Sequence, residues 1–135
     1  MIEGLMQALS PGYFFYLTLG VLIGMFVGTL PGLTATMGTA LLVPFTFALP
    51  TGEGIAMLGG LYVCAMFSDS IPACLVNTPG TPAAMATAFD GHPMVQQGRG
   101  QEAIVASCFS STIGTVFGAG CYLVLAWPLI EIALK

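Results

Sequence analysis

Residues 77 to 82 read Asn77-Thr78-Pro79-Gly80-Thr81-Pro82, a polar segment that lies between two short apolar stretches. Two prolines, a glycine and three hydrogen-bonding side chains within so few residues cannot lie inside a continuous α-helix. The flanking stretches, residues 71–76 and 83–89, are each much shorter than the about 20 residues that a helix needs to cross a bilayer. The segment therefore predicts a re-entrant helical hairpin over residues 70–89, broken at residues 77–81.

The composition is that of a membrane protein. Hydrophobic residues make up 56% of the 135 residues, charged residues make up 6%, and the mean hydropathy is +0.94. A water-exposed surface needs roughly a quarter or more charged residues. Only Arg99 and Lys135 are basic, so the chain has no surface suited to nucleic acid. The N-terminus lacks the positive region of a cleavable signal peptide, and the first apolar stretch is expected to remain as a span.

The apolar stretches predict an all-α, polytopic membrane protein with about four spans and one hairpin. Residues 1–10 are expected to lie at the membrane interface, and residues 11–67 to form three spans. Residues 90–101 are polar and are predicted to form a loop, followed by the last span over residues 102–127. The positive-inside rule places Arg99 in the cytoplasm, which puts the loop there and the hairpin tip at mid-membrane.

A glycine recurs every four residues along the first span. This spacing lets two helix backbones come close together, so we interpret it as a helix-packing surface rather than a ligand site. The helix is then predicted to break at Leu30-Pro31-Gly32. The glycines of this stripe are Gly20, Gly24, Gly28 and Gly32.

The four cysteines lie in apolar stretches and form neither a CxxC pair nor a metal-ligand spacing with a histidine. We interpret them as small hydrophobic residues. The sequence thus predicts no cofactor, and no metal site other than a Na⁺ site at the hairpin. The cysteines are Cys64, Cys74, Cys108 and Cys121.

The polar groups of the tip are suited to binding a ligand at low dielectric. The half-helix that begins near Thr81 offers free backbone N–H groups, Thr78 and Thr81 add hydroxyls, and Asn77 adds an amide, all of which can meet an anion. The carbonyls released by Pro79 and Gly80, together with the Asn77 oxygen, could instead hold Na⁺. Transporters use such helix breaks as substrate and ion sites, so the tip predicts a carrier. The alternative is a capped turn between two packed helices.

Asp69 lies at the base of the predicted hairpin, within Ser68-Asp69-Ser70. A carboxylate inside a membrane is by default a proton or cation site, and the alternative is that Asp69 caps the hairpin helix. A remote alternative is an intramembrane aspartyl protease that uses Asp69 and Asp90. Such an enzyme needs its two carboxylates to face each other, whereas Asp90-Gly91 is typical of a turn.

Four blocks of sequence occur in order across residues 20–107. They are the glycine stripe ending in Leu30-Pro31-Gly32-Leu33, then Ala40-Leu41-Leu42-Val43-Pro44-Phe45-Thr46-Phe47, then Leu75-Val76-Asn77-Thr78-Pro79-Gly80, and then Thr87-Ala88-Phe89-Asp90-Gly91-His92-Pro93-Met94 with Gln97-Gly98-Arg99-Gly100. Together they resemble the large permease subunit of the tripartite tricarboxylate transporters, the TctA family. Such permeases are about four times longer, so the resemblance covers their N-terminal portion and implies that this chain is a fragment of an inverted-repeat transporter.

The resemblance implies a multi-pass secondary carrier of the bacterial inner membrane. It implies two protein partners, a small four-helix membrane subunit and a periplasmic solute-binding protein that captures carboxylates such as citrate. Uptake of the carboxylate is expected to be driven by a gradient of Na⁺ or H⁺. The candidate substrate-binding residues are Asn77, Thr78, Pro79, Gly80, Thr81 and Ser70, and the candidate cation-coupling residues are Asp69 and Asn77.

The chain departs from the family pattern just before the hairpin. The family usually has a Gly-Gly-Ser run there, and Ser68-Asp69-Ser70 keeps only the final serine. A carboxylate at this place would repel an anionic substrate, so either Asp69 binds a cation or the substrate site is altered. A different class, a noncatalytic membrane scaffold or channel subunit, is the alternative that does not require a polar tip.

Overall fold

The computed structural model describes residues 10–133, with side chains through residue 126, and this part of the chain contains α-helices and no strand. Three segments, Pro11–Thr29, Thr51–Val76 and Gly100–Ala126, are long and apolar enough to cross a membrane. The predicted all-helical fold with span-length apolar helices is thereby confirmed, while residues 1–9 of the predicted interfacial segment lie outside the described residues. The helices are α1 (Pro11–Thr29), α2 (Ala35–Thr46), α3 (Thr51–Ser68), α4 (Ser70–Val76), α5 (Pro82–Gln96) and α6 (Gly100–Ala133).

Helices α1 and α3 pack with their backbones in contact. Three glycines of the stripe are buried in this contact, and a Cβ atom on any of them would overlap a backbone carbonyl oxygen of α3. Close approach of this kind is how small residues associate helices within a membrane. Gly20, Gly24 and Gly28 face, in this order, the backbones of Met57, Leu61 and Ala65.

We expect the two substitutions Gly24→Ala and Gly59→Ala to change stability in opposite directions. A Cβ at Gly24 would overlap Leu61, whereas a Cβ at Gly59 of α3 meets nothing within 4 Å. Overpacking costs about 1–3 kcal/mol, whereas replacing glycine by alanine at an open helical position gains up to about 1 kcal/mol. The midpoint of thermal unfolding of the purified protein is the measurement, and equal effects at the two positions would contradict the packing described here.

The core lies where α1, α2 and α3 meet, and a smaller second core joins α4 to α5. The second core consists of alanines alone, so α4 and α5 lie close together. The first core consists of buried Ala35, Leu61 and Ala65, surrounded by Ile23, Val27, Leu42 and Met66. The second consists of Ala73, Ala84 and Ala88.

A tight turn joins α1 to α2 at the predicted break. The N–H of Leu33 donates to the carbonyl of Leu30 at 3.2 Å, and Gly32 has a φ of +89°, the left-handed value that the third residue of a type II turn requires. Thr34 then caps α2, because its hydroxyl accepts the N–H of Met37 at 3.2 Å. This turn carries the chain back toward α3.

Helix α2 is shorter than the sequence predicted. It has 12 residues, about 18 Å of helix against the about 30 Å of a bilayer core, so the second of the three spans predicted within residues 11–67 is not confirmed. Pro44 removes one backbone hydrogen bond inside the helix, and the helix ends at Thr46, ahead of Pro50. Length and apolar composition alone overestimated this element.

The sequence predicts that the third span ends at residue 67 and that a separate hairpin begins at residue 70, but the chain remains almost continuously helical from Thr51 to Val76, interrupted only at Asp69. Pro72 is the third residue of α4, a first-turn position where its missing N–H removes no hydrogen bond within the helix. The first arm of the hairpin is therefore an extension of a span-length helix.

Helices α4 and α5 form the two arms of a helical hairpin. The residues between them, 77–81, are not helical, and they lie where the sequence predicted the break. Asn77 ends α4 with a left-handed φ of 54°, and the N–H of Thr78 donates to the carbonyl of Pro72 at 3.4 Å. The position of the hairpin within a membrane stays a prediction.

The predicted loop over residues 90–101 is wrong for most of its length. Helix α5 continues to Gln96 and α6 begins at Gly100, so the connection consists of residues 97–99. Tertiary contacts override the turn signal of Asp90-Gly91, because Gly91 is buried where a Cβ would overlap the sulfur of Cys74. In addition, Nδ1 of His92 donates to the carbonyl of Cys74 at 3.0 Å and holds α5 against α4.

Candidate functional site

The carboxylate of Asp69 binds the hairpin tip. Its Oδ1 accepts the backbone N–H of Gly80 at 2.8 Å, and its Oδ2 accepts the hydroxyl of Thr81 at 2.7 Å. Asp69 is 3% exposed, and the two bonds are partly buried within the described part of the chain. Hydrogen bonds to a charged acceptor are roughly twice as strong as neutral ones. A buried carboxylate at the junction of α3 and α4 thus fixes the position of the break.

Thr81 has two roles at the start of α5. Its hydroxyl donates to Asp69, and the same oxygen accepts the N–H of Ala84 at 3.3 Å, which is the N-cap bond of the helix. Pro82 follows as the first helical residue, a position at which proline is favoured. The local sequence therefore begins α5 at this point and links its first turn to Asp69.

Gly80 is enclosed by its neighbours. A Cβ placed on it would lie 2.9 Å from Oδ1 of Asp69 and 3.2 Å from the carbonyl oxygen of Leu33. The absence of a side chain here allows the tip to approach both the carboxylate and the turn after α1. The two breaks in the chain, residues 30–34 and 77–81, therefore meet at Gly80.

A cavity of about 210 Å³ lies between these two breaks. At about 30 Å³ per water molecule, it has room for about seven waters or a small organic anion. The hydroxyls of Thr34 and Thr36 lie 2.8 Å apart on its α2 side. The lining residues are Thr34, Ala35, Thr36, Tyr62, Met66, Gly80, Thr81 and Pro82. The first residues of α2 and of α5 thus border the same space.

The predicted tip residues do not all face that cavity. Asn77 and Pro79 line a larger cavity of about 430 Å³ on the other side of the hairpin, together with His92 and the apolar residues Met85 and Phe89. The structure therefore divides the predicted site into two parts. We call the cavity of about 210 Å³ the inner cavity and the cavity of about 430 Å³ the outer cavity. Gly80 and Thr81 line the inner cavity, and Asn77 and Pro79 line the outer cavity.

Two other candidate residues lie at the edges of this arrangement. Ser70 is half-buried and is the first residue of α4, next to Asp69, while Thr78 is exposed on the tip. The sequence did not single out Thr34, Thr36 and Tyr62 as site residues. The sequence predicted a helix break at residues 30–32. It did not indicate that this break lies close to the hairpin tip.

Asp90 lies apart from Asp69. It is an exposed residue of α5 and lines a groove of about 340 Å³ against α6, with Thr87, Ser107, Ser110 and Ser111. The carboxylate of Asp69 is instead bonded to the tip. This placement offers no support for a protease that uses both carboxylates.

Among the residues that the structure describes, Arg99 is the one arginine or lysine, and it lies in the connection between α5 and α6. Its Nε donates to Oε2 of Glu102 at 3.0 Å. The pKa of Arg99 is raised above its ordinary value, mainly by this hydrogen bond and to a smaller extent by the negative charge of Glu102. Arg99 stays charged and paired there, so it does not contribute its charge to either cavity at the tip.

A broken helix with a buried carboxylate bonded to the break is typical of polytopic transport proteins. Comparison with protein families agrees with this class. The family described as "Tripartite tricarboxylate transporter TctA family" matches residues 14–135. The chain belongs to this family, which is a family of transporters and not of enzymes.

Two curated relatives match the chain, and neither has a described activity. One, from Agrobacterium vitis, is described as an uncharacterized 52.8 kDa protein in the TAR-I ttuC' 3'region and is 36% identical over 98% of this chain. The other, an uncharacterized protein of Methanocaldococcus jannaschii, is 33% identical over 76% of this chain. The chain spans 26% and 25% of their lengths, about a quarter of each relative. No solved structure matches the chain.

Proposed function

We propose that the complete protein is the membrane permease of a binding-protein-dependent secondary transporter that takes up di- or tricarboxylates. The observation that carries this proposal is that the carboxylate of Asp69 is bound at the hairpin tip. The N–H of Gly80 and the hydroxyl of Thr81 hold the carboxylate of Asp69 at a helix break, beside a cavity of about 210 Å³. These two donors therefore have the geometry that a carboxylate ligand needs.

Membership of the TctA family supports the same proposal. We propose a location in the bacterial inner membrane, with two partners, a small four-helix membrane subunit and a periplasmic protein that delivers the carboxylate. The proposed substrate site is the tip, with Gly80 and Thr81 on its inner side and Asn77 and Pro79 on its outer side. Thr78 and Ser70 lie at its edges. Uptake is coupled to Na⁺ or H⁺, and Asp69 is the proposed coupling residue, because a carboxylate buried among membrane helices is suited to a cation.

The proposal is tested by measuring uptake of radiolabelled citrate and of smaller dicarboxylates into liposomes. The complete protein, reconstituted with its membrane subunit and supplied with its binding protein, is expected to accumulate at least one of them when a cation gradient is imposed. Residues 1–135 alone are expected not to transport, because secondary carriers form their sites between two structural repeats.

Three outcomes would contradict the proposal in different ways. Robust uptake by residues 1–135 alone would show that a single hairpin suffices. Absence of uptake of every carboxylate by the complete assembly would contradict the substrate class. Uptake that is insensitive to every substitution at the tip would favour the scaffold or channel reading.

A further inference from the structure

The donors that suit a substrate carboxylate are already in use in this structure. The N–H of Gly80 and the hydroxyl of Thr81 each donate to one oxygen of Asp69, at 2.8 and 2.7 Å. Asp69 reaches them from a position eleven and twelve residues earlier in the sequence. In this structure the tip therefore binds a carboxylate of its own chain.

There is no room for a second carboxylate on the same donors. Gly80 offers one N–H and Thr81 offers one O–H, and both of these hydrogens are already donated to Asp69. A ligand carboxylate can approach from the inner cavity, where Gly80 and Thr81 are lining residues, but it reaches their donors only if Asp69 moves away. Binding at this place is thus an exchange of one carboxylate for another.

The exchange leaves Asp69 without its partners. Among the lining residues of the inner cavity none is a lysine or an arginine, and Arg99 is paired with Glu102 in the connection between α5 and α6. A buried carboxylate that loses its hydrogen bonds and gains no counter-charge is strongly disfavoured. A cation therefore has to reach Asp69 when the ligand displaces it.

We propose that a substrate carboxylate and the carboxylate of Asp69 bind in turn to Gly80 and Thr81, and that a cation binds Asp69 in the displaced state. This inference rests on the proposed function and specifies how its substrate and cation are linked. For the exchanged groups the charges balance: one carboxylate lies on the two donors before the exchange, and afterwards the added substrate carboxylate is offset by the one cation on Asp69. The other carboxylates of the substrate are not part of this exchange. One cation accompanies each exchanged carboxylate.

The test is the dependence of substrate affinity on cation concentration in the complete reconstituted protein. Affinity is measured across a Na⁺ series at fixed pH and across a pH series at fixed Na⁺. When one cation binds together with the substrate, affinity is expected to rise about tenfold for each tenfold rise in the concentration of that cation, below saturation. Tyr62 of α3 is a titratable side chain among the residues that line the inner cavity, so the pH series is repeated with Tyr62→Phe.

The decisive variant is Asp69→Asn, which keeps the size of the side chain and removes its charge. We expect substrate affinity in this variant to become independent of the cation, because no carboxylate is left to neutralise. Glu53→Gln is the matched control, since Glu53 is an acid of the first turn of the same helix, at its opposite end. The control is expected to keep the cation dependence of the unmodified protein.

The inference is overturned if Asp69→Asn keeps an unchanged cation dependence, and the proposed function then still stands. It is also overturned if the affinity of the unmodified protein responds neither to Na⁺ nor to pH, a result that does not depend on how well the variant folds. Failure of the unmodified assembly to take up any carboxylate is a different result, because it contradicts the proposed function itself.

Discussion

Thr81→Val is expected to reduce carboxylate uptake by the complete protein at least about tenfold. Valine has nearly the shape of threonine but can neither donate to Asp69 nor accept the N–H of Ala84, and the threonine hydroxyl does both. Losing a hydrogen bond to a buried charge costs about 1.5–3 kcal/mol, and losing an N-cap costs about 0.5–2 kcal/mol. The first loss also applies to a substrate carboxylate bound by this hydroxyl, and it exceeds the 1.4 kcal/mol that corresponds to about a tenfold change in affinity. The second loss lowers the stability of α5 at the tip.

Thr81→Ser is the matched control, because serine keeps the hydroxyl and also favours the N-cap position. Its uptake is expected to stay close to that of the unmodified protein. Initial uptake rates are normalised to the amount of protein in the liposomes, so that a loss of protein is not mistaken for a loss of transport. Normal uptake by the valine variant would show that the bond between Thr81 and Asp69 has no part in transport.

Two substitutions of Asn77 are expected to separate its backbone role from its ligand role. Asn77 has a φ of 54°, a left-handed conformation that costs most residues roughly 1–2 kcal/mol and costs glycine nothing. Asn77→Gly therefore keeps the turn and removes only the amide, whereas Asn77→Ala removes the amide and also strains the turn. If the amide binds substrate or cation, both variants lose about 1–3 kcal/mol of binding, which is about 5- to 150-fold in affinity.

We expect reduced substrate affinity in both variants and a lower thermal unfolding midpoint in Asn77→Ala alone. Thr78→Val is a useful comparison, because Thr78 is exposed on the same tip but its backbone φ is not left-handed. An Asn77→Gly variant with normal affinity would mean that Asn77 serves only to end α4. The ligand site would then lie on the inner side of the tip, with Gly80 and Thr81.

The sequence was sufficient to predict the helix break, because its determinants are local. Pro79, Gly80 and Pro82 lie too close together for a helix to continue, and Thr81 is a good N-cap wherever the rest of the chain lies. The spacing of glycines likewise predicted a helix-packing surface on α1, but not that α3 is its partner. What could be predicted thus depended on interactions between residues close together in the sequence.

The errors arose where tertiary contacts decide the structure. Asp90-Gly91 resembles a turn, but Gly91 is helical because it lies against Cys74, and His92 bonds to the carbonyl of Cys74. Pro44 lies within an apolar stretch long enough to span, yet α2 ends two residues after it. The bond between Asp69 and the tip could not be inferred either, because the direction of a side chain at the junction of α3 and α4 is set by the folded neighbours.

The small residues between α4 and α5 have a mechanical consequence. Ala73 packs on Ala84 and Ala88, and Gly91 lies against Cys74, so the two arms touch almost at their backbones. Surfaces without long side chains have few rotamers to rearrange, and they cannot separate slightly while staying in contact. The hairpin is therefore expected to move as one rigid body. Any movement that opens or closes the inner cavity then changes the outer cavity at the same moment.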